Sequence, residues 1–198
     1  VDKIVNKKGG IFEQNGIKIV RYADDFVLIG KQISKLTIET LKKILERMEL
    51  TLNEEKSKIL NVMEETFDFL GFNIGYRKGF KGKKYLGITP GKKAEKKFRE
   101  NIDKYLKASL HLKDADLTKG LNAKIRGWTG YFTIPGISET YKSYTSLSYY
   151  IGIKMEWHFQ RKSQRGKKLS NQRAIQHLYR HHGLINMSKS PSMKLVNA

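Results

Sequence analysis

Asp24 and Asp25 stand side by side in Tyr22-Ala23-Asp24-Asp25, between two short β-rich runs, Ile17 to Tyr22 and Phe26 to Ile29. Apolar runs interrupted by one small and two acidic residues predict a hairpin with carboxylates at its turn. Adjacent carboxylates repel each other, and divalent cations relieve the repulsion, Mg²⁺ preferring hard oxygen donors in octahedral geometry. Two such ions about 3.5 to 4 Å apart activate a hydroxyl nucleophile and stabilise a leaving pyrophosphate. A bare Asp-Asp pair is ordinary turn composition. The full tetrapeptide between strand-like runs is more specific, because a given four-residue string arises by chance in roughly one in 10³ chains of this length.

The elements around this pair read as mixed α and β. After Gly30, the residues Ile33, Leu36, Leu41, Ile44, Leu45 and Met48 recur at helical spacing and predict an amphipathic helix. Leu50 to Leu52 and Ile59 to Val62 read as extended segments around a polar stretch, Asn53 to Lys58. Phe67 to Ile74 reads as one strand, apolar on most of both faces and therefore largely buried. Gly75 to Gly87 is rich in Gly and Lys, with Tyr76, Phe80 and Tyr85 among the charges, and suggests a basic hairpin. Thr89 and Pro90 read as an N-cap followed by Pro at the first helical position. The helix predicted after them has Ala94, Phe98, Ile102, Tyr105 and Leu106 on one face and lysines around the rest. Further helices are expected at about 117–131, 137–160 and 170–182. The fold class is α+β, with residues 1–88 and 89–198 as two units of different character.

Charge separates the two parts. Of 198 residues, 39 are Lys or Arg and 19 Asp or Glu, a net charge of +20, and there is no cysteine. The first 75 residues hold 12 basic and 12 acidic side chains, so the whole excess lies in the remainder. Residues 76–113 alone hold 13 basic against 3 acidic. Such a stretch collects polyanions, and nucleic acid is the default partner because each neutralised phosphate releases counterions. Absent cysteine excludes disulfides, thiol nucleophiles and Cys-containing zinc sites, and fits a reducing compartment. No apolar run approaches the roughly 18 residues needed to cross a bilayer, so no membrane partner and a cytoplasmic location, bacterial-type or organellar, are expected.

Val20-Arg21-Tyr22-Ala23-Asp24-Asp25-Phe26-Val27 resembles the catalytic hairpin, motif C, of reverse transcriptases of the group II intron type. Leu50 to Ile59, with Asn53-Glu54-Glu55-Lys56 at its centre, is similar to motif D of that family, and Phe67-Asp68-Phe69-Leu70-Gly71-Phe72 to its motif E, the primer grip. Leu121 to Phe132 resembles the signature of the maturase domain, which forms a helical thumb and binds structured RNA. The likeness implies a partial reverse-transcriptase palm of antiparallel strands with a helix over residues 1–88, followed by an α-helical thumb/maturase domain over 89–198.

What the resemblance implies can be stated residue by residue. Asp24 would be the principal Mg²⁺ ligand and Asp25 the second acid. Tyr22 and Ala23 would lie beside the primer end. Lys56 would donate a proton to the departing pyrophosphate or neutralise its charge, unless it is an ordinary solvated lysine. Phe69, Leu70, Gly71 and Phe72 would support the primer strand, with core packing as the plainer reading of both phenylalanines. Lys92, Lys93, Lys96, Lys124 and Arg126 are candidates for phosphate contact, with Tyr76 and Tyr85 as stacking partners. Trp128 and Tyr131, three apart on the expected helix, read as packing anchors, with stacking on RNA as the alternative. The basic cluster Arg161 to Lys168 reads as a tail or a second RNA contact, and His181-His182, with no acidic neighbour in sequence, as surface.

The family's motif A carboxylate and its fingers lie upstream of motif C. The third carboxylate of a two-metal site is therefore expected from outside this chain, from a fingers and palm segment in the same or another polypeptide. The expected function is the C-terminal part of an RNA-directed DNA polymerase acting on RNA template, DNA primer and dNTP, inactive alone. The alternative is a non-catalytic maturase-like module that binds structured intron RNA and assists its folding and splicing.

Overall fold

The structure, a computed structural model, describes residues 6–79, 82–162 and 171–189, with backbone alone for 171–174. It divides into two compact units, Val1–Glu65 and Thr66–Ala198. This division places residues 66–88 with the helices, whereas the sequence reading divides the chain at residue 88.

In the first unit a short helix α1 (Ile11–Gln14) precedes strands β1 (Lys18–Tyr22) and β2 (Asp25–Ile29), followed by helix α2 (Lys35–Glu46). The strands form a two-stranded antiparallel ribbon with Lys18 opposite Ile29 and Tyr22 opposite Asp25. Helix α2 starts where Ser34 accepts the amide hydrogen of Thr37 on its hydroxyl at 3.2 Å, which satisfies one of the orphan donors of the first turn. Its Leu41 and Leu45, four residues apart and hence on one face, join Phe12, Ile17 and Ile19 in a small core. The segments 50–52 and 59–62, expected as extended, form no strand: the chain there is irregular, with turns at 54–56 and 62–64. Leu50, Ile59, Val62 and Met63 are exposed and Leu52 packs against the small core, so too little apolar surface is buried to hold these segments in a sheet. Instead, Asn53 accepts from the Lys56 amide at 3.1 Å, closing a side-chain turn.

The second unit opens with a three-stranded antiparallel sheet, β3 (Phe67–Phe69), β4 (Phe72–Lys78) and β5 (Lys84–Pro90), in that spatial order. The single strand expected over 67–74 is in fact a hairpin. Phe69 pairs with Phe72, and the two residues between them, Leu70 and Gly71, have φ of +50° and +80°. Positive φ at both central positions is what a tight primed turn requires. The reversal leaves Phe67, Phe69, Phe72 and Ile74 only partly buried. The basic hairpin is present as β4 and β5, in register from Phe72 opposite Pro90 to Lys78 opposite Lys84.

Pro90 ends β5 rather than starting a helix, and Gly91 is the residue that caps helix α3 (Lys92–Ala108). The Gly91 amide donates instead to the Gly71 carbonyl at 2.8 Å, so Thr89 and Pro90 are held in the sheet. Helices α4 (Asp114–Phe132), α5 (Tyr141–Lys162) and α6 (Asn171–His181) follow. Residues at helical spacing from each meet in one core: Phe98, Ile102 and Leu106; Leu117, Leu121 and Ile125; Tyr144, Leu147, Ile151 and Met155; and Leu178. This is the amphipathic pattern of a helical bundle. Among the described residues no helix is long and apolar enough to cross a membrane. The observed class is α+β.

Candidate functional site

The carboxylates sit on the shortest connection an antiparallel ribbon permits. Tyr22 faces Asp25 as the last pair of the ladder, leaving Ala23 and Asp24 as the two turn residues. Ala23 has φ +50°, a left-handed conformation that costs an L-residue roughly 1–2 kcal/mol. The Arg21 guanidinium braces the turn by donating to the Ala23 carbonyl at 3.0 Å. Strain of this kind persists where surrounding structure holds it and concentrates at functional sites. Asp24 and Asp25 are exposed, and among the described residues neither carboxylate enters a hydrogen bond or an ion pair. Both are therefore free to act as hard oxygen donors, the set that Mg²⁺ takes. Tyr22 is 65% exposed beside them. Val20 and Ile29 are exposed on the same ribbon, and the outer edges of β1 and β2 have no partner strand among the described residues.

Lys56 lies in the irregular stretch after α2, exposed, its ammonium without an ion-pair partner among the described residues. Nearby Glu54 is paired with Lys42; the hydrogen bond and the charge of Lys42 hold the Glu54 carboxyl below the usual carboxylate range.

In the second unit the β3–β4 turn is anchored from the helical side. Tyr131 donates its hydroxyl hydrogen to the Leu70 carbonyl at 2.8 Å. The Phe72 ring stacks on Tyr131 at 5.7 Å between centroids and meets Phe132 edge-on at 4.9 Å. Gly71 passes so close that a Cβ there would stand 3.4 Å from Phe132 Cζ. Thus Phe69, Leu70 and Gly71 form a turn fixed by the last residues of α4. Tyr131 is neither a buried packing anchor nor wholly free for stacking: it is 55% exposed and holds the turn through its hydroxyl. The packing role belongs to Trp128, whose ring lies 4.5 Å from Phe132 and 5.2 Å from Phe98.

Lys92, Lys93 and Lys96 are exposed along α3, as is Arg126 on α4. Lys124 is not wholly free: its ammonium lies 5.1 Å from the Tyr105 ring, a cation–π contact. On the basic hairpin Tyr76 and Tyr85 are both exposed, and Tyr85 also donates its hydroxyl hydrogen to Glu139 at 3.0 Å. Burial, and then that carboxylate, push the Tyr85 hydroxyl up.

A groove between α3 and α5 is lined by Lys107, Lys154, Trp157 and Arg161 together with Asp103, whose carboxylate pairs with Lys154 at 3.1 Å. Trp157 is 51% exposed, and Lys154 sits 4.9 Å from its ring centre. An exposed indole beside a lysine has a free face on which a base could stack. The signal was present in the sequence as a Trp inside a basic helix, but without the partner helix it was indistinguishable from a core anchor. Most of the cluster Arg161 to Lys168 lies outside the described residues. Trp128 Nε1 and His158 Nε2 are buried without a hydrogen-bond partner among them. Burial pushes the His158 imidazole below its usual value, against the hydrogen bond between Nδ1 and the Leu106 carbonyl at 3.1 Å.

Residues 2–74 match the family described as reverse transcriptase (RNA-dependent DNA polymerase). Residues 95–179 match the group II intron, maturase-specific domain. A comparison with curated proteins finds no match. The first match takes in the hairpin with its two carboxylates and runs to the β3–β4 turn; the second covers the helices that anchor that turn. With both domains present in this order, the chain belongs to the group II intron-type reverse transcriptase/maturase family.

Proposed function

We propose that this chain supplies the catalytic hairpin and the RNA- and primer-binding surfaces of an RNA-directed DNA polymerase. The observation that carries the reading is the pair Asp24 and Asp25, exposed and unengaged on a strained two-residue turn, within a segment that matches reverse transcriptases. The two carboxylates hold Mg²⁺ together with a third carboxylate from outside this chain. Bound there, the metal supplies charge neutralisation for an attacking primer hydroxyl and a departing pyrophosphate.

The other residues bind and orient. Tyr22 and Ala23 flank the primer end. Lys56 presents an ammonium to the leaving pyrophosphate of the dNTP. Phe69, Leu70 and Gly71 support the primer strand, their turn kept in shape by Tyr131. Lys92, Lys93, Lys96, Lys124 and Arg126 contact phosphates of template or intron RNA, so affinity falls steeply with salt. An upstream fingers and palm segment completes the enzyme.

The test is primer extension on an RNA template by this chain together with that upstream segment. Asp24→Asn is expected to lower extension by a factor on the order of 10³, the several kcal/mol that a metal contributes, with RNA affinity unchanged. Incorporation that survives the substitution refutes the metal role. The exposed lysines of α3 favour a second reading, a non-catalytic module that assists intron RNA folding and splicing. Tight binding of intron RNA with no extension under any metal or template condition decides for that reading.

A further inference from the structure

Three side chains of metal-ligating type, far apart in sequence, meet at one end of the helical unit. Asp114 is the first residue of α4, His177 lies in the last two turns of α6, and His182 follows directly after that helix. One carboxylate oxygen and one imidazole nitrogen from each histidine all lie within 4.8 Å of one another, and all three residues are half-buried. His177 Nε2 is 3.7 Å from Asp114 Oδ2. In a tetrahedral zinc site, with bonds of about 2.0–2.1 Å, neighbouring donors stand about 3.4 Å apart, so side-chain movements on the order of 1 Å close this set around an ion.

Two surrounding features prepare the cluster. The other Asp114 oxygen, Oδ1, accepts from the Lys162 ammonium at 2.9 Å. Lys162 is itself fixed by donating to the Leu112 carbonyl at 2.6 Å. The carboxylate is thereby oriented with Oδ2 toward the histidines, the service that outer partners perform for metal ligands. The C-terminal end of α6 carries the partial negative charge of its unpaired carbonyls, which favours a cation beside His177 and His182. The Lys162 charge opposes one, and it is already paired with Asp114.

We propose that Asp114, His177 and His182 bind one divalent transition-metal ion of the Zn²⁺ class, clamping the end of α6 onto the start of α4, with the fourth coordination position open to solvent. Two imidazoles and one carboxylate select Zn²⁺, Co²⁺ or Ni²⁺ over Mg²⁺ and Ca²⁺. The site is thus chemically separate from the all-oxygen pair Asp24 and Asp25, and it rests on different residues.

The experiment titrates the untagged full chain, stripped with chelator, with ZnCl₂ by calorimetry in excess Mg²⁺, and repeats it with Co²⁺ followed by visible absorption. The expected result is one saturable site that survives the Mg²⁺, gives ligand-field bands with Co²⁺ and raises the thermal midpoint. His182→Gln and Asp114→Asn each lower the affinity about tenfold or more, whereas His111→Gln, at an exposed histidine outside the cluster, leaves it unchanged. His182→Gln without metal melts with the chelator-treated parent, which separates lost ligation from misfolding. Uptake that is no stronger in the parent than in His182→Gln, that is displaced by Mg²⁺, or that falls equally in His111→Gln overturns the proposal.

Discussion

Removing the Tyr131 side chain tests whether the maturase signature holds the β3–β4 turn. Two kinds of contact are lost in Tyr131→Ala. The hydroxyl bond to the Leu70 carbonyl, 2.8 Å long, is worth about 0.5–1.5 kcal/mol net, toward the low end here because water reaches a ring that is 55% exposed. The stacked contact with Phe72 and the edge contact with Phe132, at 5.7 and 4.8 Å, add about 0.5–1.5 kcal/mol each. Half exposure again favours the lower values, so about 2 kcal/mol is expected for Tyr131→Ala and about 0.5–1 kcal/mol for Tyr131→Phe, which keeps both ring contacts. Urea unfolding of the two variants, followed by aromatic near-ultraviolet dichroism, measures the difference. Amide exchange at the turn supplies the local readout, because a released Leu70, held at φ +50°, returns toward ordinary backbone conformations. Equal losses in Tyr131→Phe and Tyr131→Ala refute the stacking argument. Parent-like stability and turn protection in Tyr131→Ala refute the anchoring argument altogether.

Two further predictions concern the helical unit. His158, 3% exposed, has its protonation suppressed by burial. The unfolded chain binds the proton more readily, so stability is full above the unfolded value of about 6.5 and declines as pH falls below it, by at most about 1.4 kcal/mol per pH unit until the folded imidazole also protonates. Thermal melts of the parent and of His158→Leu from pH 7.5 down to pH 5.5 check this, and parallel pH dependences would count against it. Gly120 and Gly127 are both interior to α4 yet respond oppositely to alanine. At Gly120 a Cβ would lie 2.0 Å from the Tyr105 hydroxyl, which donates to the Leu117 carbonyl at 3.1 Å. Gly120→Ala displaces that ring and destabilises by about 1–3 kcal/mol, whereas Gly127→Ala meets open space and gains about 0.5–1 kcal/mol of helix propensity. Denaturant midpoints that move the same way in both variants contradict this account.

Several elements were legible because their signal is local. The carboxylate hairpin follows from two β-branched and aromatic runs around a short acidic break. Helices α2, α3, α4, α5 and α6 follow from apolar residues three and four apart, and each predicted span overlaps its observed helix. The turn at Leu70 and Gly71 was missed because Leu is not a turn residue. Its left-handed backbone is imposed by the pairing of Phe69 with Phe72 and by the Tyr131 hydroxyl, contacts from 61 residues away in the latter case. The cap of α3 shifted from Thr89 to Gly91 because the sheet claims Thr89 and Pro90 for pairing with Asn73 and Phe72. Likewise His181-His182, read as a plain surface pair, has an acidic neighbour after all: folding brings Asp114 beside His177 and His182.

The order of residues along the chain determined by itself the α+β class, the basic surplus of the later part, and the pair of acids between two strands, for each depends on composition or on spacing within a few residues. Only tertiary structure decided which aromatic packs and which holds a turn, that strands 66–90 join the helical unit, and that an aspartate meets two histidines. Those outcomes depend on side chains dozens of residues apart meeting in one core, and local propensity carries no information about such meetings.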